Sequence, residues 1–383
     1  MSRLRILSVF GTRPEAIKMA PVVKALDADA RFVSRVCVTA QHREMLDQIL
    51  ALFVISPNHD LNIMKPGQDL TDVTVRILTG LRDVITQEDP DLILVHGDTT
   101  TTFATTLAAF YAGVPVGHVE AGLRTGNLNS PFPEEANRLL TDRLAKLFFA
   151  PTEQNAQALR AEGVPDTAIT VTGNTVIDAL LSVSNRLKTI DLTDTDWGTA
   201  APYIEQDTTT PMVLITGHRR ESFGDGFSRI CSAIRTLATR HPNTQFVYPV
   251  HLNPNVQKPV RTMLSDLPNI HLLAPLNYAP FVCLMNRATV ILTDSGGVQE
   301  EAPSLGKPVL VMRDTTERQE GVIAGTVKLV GTDPEAIVSS VSTLLNDPKE
   351  IASMRGAHNP YGDGDAAQRI CDAIHNSIRS DSK

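Results

Sequence analysis

The chain has 383 residues, which at roughly 150 residues per domain means two domains or one large one. Its 35 Lys and Arg against 43 Asp and Glu give a formal net charge of −8, and 42% hydrophobic with 5% aromatic residues is an ordinary globular composition. That acidic balance offers no electrostatic footprint for nucleic acid or an anionic membrane surface, so an anionic ligand must be held by local positive groups.

Arg3 and Arg5 precede a short apolar run, Ile6 to Phe10, that reaches Gly11-Thr12-Arg13 too soon for a signal peptide and reads as a first strand. Short β-branched runs then alternate with amphipathic stretches, the pattern of βαβ units building parallel sheets. In the first half strands are expected near Leu4–Phe10, Phe32–Thr39, Leu92–Val95, Val114–Val119 and Leu147–Ala150, with helices at Leu70–Ile85 and Thr101–Tyr111. Polar, Thr-rich Thr189–Pro211, carrying the only Trp (Trp197), reads as the linker, with an alternative hinge near Gly173–Val176 if a helix at Val176–Leu187 already belongs to the second half. There, strands are expected near Met212–Ile215, Phe246–Val250, Ile270–Leu273, Val290–Thr293 and Val309–Met312. A last amphipathic helix, Asp365–Ile378, puts Ile370, Ala373 and Ile374 on one face. The expectation is α/β, two doubly wound halves.

Cys37, Cys231, Cys283 and Cys371 are scattered without a C-x-x-C pair, so reduced, mostly buried thiols are expected rather than a disulfide framework or zinc site. No segment approaches the ~20 apolar residues of a membrane helix. A cytoplasmic protein, bound neither to nucleic acid nor to membrane, is expected.

The most informative loop is Thr293 to Glu301, reading Thr-Asp-Ser-Gly-Gly-Val-Gln-Glu-Glu after a buried strand. Backbone N–H groups of Ser295, Gly296 and Gly297 at a helix start would cradle a phosphate, and Glu301 could accept hydrogen bonds from a ribose diol. A tight turn with a capping Ser is the plainer alternative. Gly11-Thr12-Arg13-Pro14-Glu15 and Gly217-His218-Arg219-Arg220-Glu221 form a faint repeat, each after the first strand of its half, where ligands of open α/β sheets bind; chance similarity of polar loops explains it equally well.

In the first half, His96-Gly97-Asp98-Thr99 and Glu120-Ala121-Gly122-Leu123-Arg124 leave two strands at the same sheet edge. After Pro131-Phe132-Pro133 a helix carries Glu134, Glu135 and Arg138, with Glu134 and Arg138 four apart on one face. Converging carboxylates would raise at least one pKa, as acid/base work at neutral pH requires. Against this stand an Asp98 that merely caps the next helix and a Glu134–Arg138 surface ion pair. His218 titrates near neutrality beside Arg219 and Arg220; it is either functional or a satisfied loop histidine, and His251 ranks below it. The sequence contains no G-x-G-x-x-G after a strand and no P-loop, which argues against a dinucleotide cofactor and a nucleotide triphosphatase. Asp194-Thr195-Asp196 and Asp363-Gly364-Asp365 read as solvated turns, and His118-Val119-Glu120 lacks the P-C-x-x-C of a zinc deaminase, so neither metal nor cofactor is expected.

Taken together, the segments from Gly11-Thr12-Arg13-Pro14-Glu15 through His96–Thr99, His118–Arg124, Pro133–Arg138, Gly217–Gly224 and Asp294–Gly297 to Asn359–Gly364 resemble, in order and over almost the whole chain, the signature of the non-hydrolysing UDP-N-acetylglucosamine 2-epimerases. The resemblance implies a GT-B-like chain: a Rossmann-like domain 1–175 with the acid/base residues, joined by the C-terminal helix 365–383, and a UDP-binding Rossmann-like domain 176–364 across a cleft. It also implies a homodimer, and interconversion of UDP-GlcNAc and UDP-ManNAc by elimination of UDP to 2-acetamidoglucal and re-addition. By motif, Asp98, Glu120, Glu134, Arg138 and His218 would be catalytic; Arg13, Lys18, Ser295, Gly296, Gly297, Glu301 and Arg318 would bind substrate.

Members activated by a second UDP-GlcNAc read Gln-His-Arg-Gln and Lys-Glu-Arg-Gln where this chain has Gln41-His42-Arg43-Glu44 and Lys65-Pro66-Gly67-Gln68, so such activation is not implied here. Phe132 stands where relatives often carry Trp. A GT-B glycosyltransferase, a hydrolysing epimerase, a non-catalytic nucleotide-sugar binder and an oxidised or 3-amino UDP-sugar substrate stay open at this level.

Overall fold

The computed structural model describes residues 3–40, 43–188, 197–204 and 209–380. The chain divides into two compact units, Met1–Ala179 with Tyr361–Lys383, and Leu180–Pro360. It passes from the first to the second within the helix Thr175–Leu187, so the stretch expected as linker lies inside unit 2. There Trp197 is buried and Ala201–Ile204 is a short helix; residues 189–196, with Asp194-Thr195-Asp196, and 205–208 lie outside the described residues.

Unit 1 is built on β1 (Leu4–Phe10), β2 (Phe32–Val38), β3 (His59–Asp60), β4 (Leu92–His96), β5 (Val116–Val119), β6 (Leu147–Ala150) and β7 (Ile169–Val171), in the order β3-β2-β1-β4-β5-β6-β7. Every pairing is parallel. Unit 2 is built on β8 (Met212–Thr216), β9 (Gln245–Pro249), β10 (Ile270–Leu273), β11 (Val290–Thr293), β12 (Val309–Val311) and β13 (Val327–Leu329), parallel throughout and ordered β10-β9-β8-β11-β12-β13. Helices on both faces bury the central strands, which is why these read as unbroken apolar runs such as Ile93-Leu94-Val95 and Ile291-Leu292. β3, β7 and β13 escaped the sequence reading because they are two or three residues long, sit at or beside the sheet edge and carry polar residues, such as Thr170 and Lys328.

The strand order places one switch point in each unit. The chain moves outward from β1 to β2 and β3, then returns to lay β4 on the other side of β1, which opens a crevice outside the carboxyl ends of β1 and β4. β8 and β11 make the equivalent crevice in unit 2. Gly11–Arg13 and Gly97–Asp98 lie at the first, and Gly217–Arg219 and Asp294–Gly297 at the second.

The final helix, Ala366–Ser380, packs on the first helix, Arg13–Ala28, in unit 1. Its buried stripe is Ala366, Ala367, Ile370, Cys371 and Ile374; Ala373, expected on that stripe, is half-buried because the face is centred one residue earlier. Arg31 pairs with Asp372 at 2.6 Å, and the Asp178 carboxylate accepts from Ala367 N at 2.8 Å at the helix start.

Candidate active site

The unit 1 site begins with a backbone that admits no side chain. A Cβ on Gly11 would stand 1.9 Å from Thr39 Oγ1, so glycine alone lets β1 turn into its helix there. Thr12 and Glu15 form the capping box of that helix. The buried Glu15 carboxylate accepts from Gly11 N at 3.1 Å and Thr12 N at 2.7 Å, and also from Thr99 Oγ1 at 2.7 Å and Thr102 Oγ1 at 3.3 Å. One carboxylate therefore locks the loop after β1 to the helix after β4.

From the helix Arg13–Ala28 Lys18 reaches Glu120, its ammonium 2.6 Å from both carboxylate oxygens, and His96 Nε2 lies 2.7 Å from Glu120 Oε2. Glu120 directly follows β5 with φ +65, a left-handed conformation that a non-glycine residue holds only when its surroundings over-determine it. Burial by itself would push its carboxyl up; the charges of Lys18 and His96 outweigh burial and hold it well below the usual carboxylate range. Glu120 Oε2 is 3.8 Å from where a Gly97 Cβ would stand, next to the turn that carries Asp98, and of the three carboxylates Glu120 is not one with a raised pKa, because its own cations prevent it.

Asp98 does not cap the helix Thr100–Ala112; Thr99 does, its side chain accepting from Thr102 N. Asp98 is left for Arg138, whose Nε and Nη2 approach Asp98 Oδ2 at 3.0 and 2.6 Å while Nη1 donates to Glu135 at 2.8 Å. The Glu134–Arg138 pair suggested by spacing is thus replaced by pairs to Asp98 and Glu135, because Arg138 points into the protein with a side chain only 8% exposed. Glu134 Oε2 is buried with no hydrogen-bond partner. Behind this turn His118 Nε2 lies 2.7 Å from Gly97 O and Nδ1 2.5 Å from Asp142, which also pairs with Arg124 at 2.5 Å.

In unit 2 the Ser295-Gly296-Gly297 loop follows β11 as expected and opens the short helix Gly296–Glu301. A Gly296 Cβ would come within 2.8 Å of Arg318 Cζ, so this glycine is what lets the guanidinium lie against the loop. Arg318 is held by Glu300 at 2.9 Å and Glu317 at 2.8 Å. Glu301 is buried and accepts from Tyr278 Oη at 2.6 Å, which orients its carboxylate. His218 N and Arg219 N donate to Asp294 Oδ2 at 2.7 and 2.8 Å, and the His218 ring stacks on His251 with centroids 5.3 Å apart.

The sequence does not reveal His96, Glu15, Glu135, Tyr278 and Asp294 as partners of these side chains, nor that Lys18, expected at the substrate, pairs with Glu120. Only Glu15 carried a legible signal, the T-x-x-E capping box. The faint repeat is real as topology, since β1 and β8 are equivalent strands, yet its glutamates differ: Glu15 is buried in its loop, while Glu221 pairs with Arg313 at 2.5 Å with its side chain 52% exposed. Asp363 pairs with Arg369 at 2.6 Å in an exposed turn, and that hydrogen bond holds its carboxyl at about 2. Of the departing activator loops, Gln41 and His42 lie outside the described residues; Arg43 is engaged by Asp47 and Asp60, and Gln68 Oε1 accepts from Lys65 N at 3.0 Å. Phe132 is exposed. Among the described residues no helix is long and apolar enough to cross a membrane.

Residues 24–375 match the family model described as UDP-N-acetylglucosamine 2-epimerase. The chain is 63% identical over 370 residues to the probable UDP-N-acetylglucosamine 2-epimerase of Ralstonia solanacearum, covering 97% of this chain and 98% of that one. It is 60% identical over 374 residues to the UDP-N-acetylglucosamine 2-epimerase of Escherichia coli O157:H7, covering 98% and 99%. Among solved structures, UDP-GlcNAc 2-epimerase from Neisseria meningitidis bound to UDP-GlcNAc superimposes with a TM-score of 0.87 at 52% identity, covering 97% and 100%. The expected fold class, two Rossmann-like units in a GT-B-like chain, is borne out by this likeness and by the two parallel sheets. Carrying that fold, and matched by the family's model over nearly its whole length, this chain belongs to the UDP-N-acetylglucosamine 2-epimerase family.

Proposed function

We propose that this enzyme interconverts UDP-GlcNAc and UDP-ManNAc, with Asp98, Glu120, Glu134 and Arg138 as acid/base residues and the Ser295–Gly297 loop, Arg318, Arg13 and Glu301 as UDP-binding residues. C2 of the sugar carries no adjacent carbonyl, so inversion by simple enolisation is closed. Elimination needs a base for the C2 proton and positive charge for departing UDP. The C2–H pair forms the C1–C2 double bond of 2-acetamidoglucal as the C1–O bond breaks and its electrons leave with UDP. A UDP oxygen then re-bonds to C1 while C2 takes a proton on the opposite face.

The observation that carries this reading is the division of labour among the three carboxylates. Glu120 is paired with Lys18 and Asp98 with Arg138, whereas Glu134 keeps a buried oxygen without a hydrogen-bond partner. Glu134 is the carboxylate free to take or return a proton; Glu120 serves the other face, with Lys18 and His96 at its oxygens. Arg138 and His218 stabilise the leaving diphosphate. The free cysteines agree with a cytoplasmic location, and the functional form is a homodimer, which sedimentation of the purified chain would test.

Incubation with UDP-GlcNAc in D2O, followed by NMR, tests the chemistry. Deuterium enters C2, UDP-ManNAc accumulates as the minor species, and neither NAD nor metal is needed. Epimerisation with hydrogen retained at C2 would sink the elimination route, and free ManNAc as main product would favour a hydrolysing enzyme.

A further inference from the structure

We propose that Asp294 is a positioning residue for His218: it fixes the imidazole with its proton on Nδ1, so that Nε2 is the nitrogen that exchanges a proton with the ligand. The inference rests on His218 acting in the proposed epimerisation. Asp294 is completely buried at the carboxyl end of β11, and His218 follows β8, the adjacent strand across the switch point. Its Oδ2 is taken by two backbone donors, His218 N at 2.7 Å and Arg219 N at 2.8 Å, which fix the loop. Its Oδ1 has no hydrogen bond and faces His218 Nδ1 at 3.4 Å.

A buried carboxylate accepts and cannot donate, so the neutral imidazole is favoured with its proton on the nitrogen that faces Oδ1. Among the described residues, the three charged or titratable groups around His218 are Asp294 after β11, His251 after β9, and Arg219 on its own loop. Burial pushes the His218 pKa down, Asp294 pulls it up, and His251 and Arg219 push it down, leaving it below the ordinary value. Asp294 is the only one of these three neighbours that favours the protonated ring. The arrangement parallels a carboxylate behind a catalytic histidine, where the acid sets tautomer and orientation without itself taking the proton.

The test uses full-length enzyme labelled with 15N-histidine, with the His218 signal assigned by its loss in His218→Gln. In the wild type the neutral His218 ring carries its proton on Nδ1. Asp294→Asn keeps an oxygen for the two backbone donors but removes the charge, so the His218 titration falls by about one pH unit or more. kcat falls on the order of 10²-fold, its alkaline limb moves down by the same shift, and KM changes little. A mere loop strut would lower the melting temperature and leave the titration and the pH limb in place; that result in folded Asp294→Asn overturns the proposal. Should that variant fail to fold, the wild-type tautomer decides: a proton on Nε2 overturns it. Normal turnover by His218→Gln would remove the His218 role itself, and with it the purpose assigned to Asp294, while the NMR coupling would still be read separately.

Discussion

Replacing Lys18 by Met tests whether Glu120 is held by its ion pair or merely tolerates it. The two side chains are 17% and 13% exposed, and the ammonium lies 2.6 Å from both carboxylate oxygens, so the variant strands a desolvated carboxylate with His96 as its remaining neighbour. Removing one partner of a buried pair costs about 3–5 kcal/mol, far above the ~1 kcal/mol ceiling of an exposed pair. The folded protein holds the Glu120 carboxyl below its unfolded value, about 4.3 for a free Glu; the pair therefore stabilises fully above that value and is lost as pH falls through the depressed folded one. In Lys18→Met protonation relieves the stranded charge, so the deficit is largest at neutral pH and shrinks on acidification. Urea titrations at several pH values, followed by far-UV circular dichroism, measure this. Fluorescence is less suited, because the single tryptophan, Trp197, is in unit 2 and Lys18 in unit 1. A deficit below about 1 kcal/mol at pH 7, or one that grows toward acid, would refute the reasoning.

Asp98→Asn is expected to abolish turnover while leaving the affinity for UDP, measured by calorimetry, within about two-fold, since the amide oxygen still accepts from Arg138 and none of the groups proposed to hold UDP is replaced; lost UDP affinity with normal turnover would contradict its role. Arg138→Lys should lower kcat by about 10²-fold, because an ammonium cannot span Asp98 and Glu135 as the guanidinium fork does. Gly296→Ala places a Cβ 2.8 Å from Arg318 Cζ and should raise KM for UDP-GlcNAc about ten-fold or more through a displaced guanidinium, seen equally as weaker UDP binding. Burial pushes the Cys37, Cys231 and Cys371 thiols up to about 12 and Cys283 to about 11, so a disulfide reagent at pH 8 should label none within minutes in the native enzyme and all four after denaturation.

The sequence determined the class of fold and which polar, glycine-bearing loops follow the strands, because both depend on local pattern. Buried parallel strands read as unbroken apolar runs, and glycines mark strand ends where other groups approach the backbone closely. It could not determine who pairs with whom. Arg138 is four residues from Glu134, yet its guanidinium turns inward to Asp98, forty positions away in the chain, because β4 and β5 deliver that turn beside its helix. Glu120 is buried and still has a lowered pKa, because Lys18 and His96 arrive from two other segments. The short edge strands, the buried stripe centred on Ile370 and the Asp294–His218 contact are likewise products of packing. Electrostatics at a few ångströms is set by tertiary neighbours, and spacing along the chain records only which residues were available to become them.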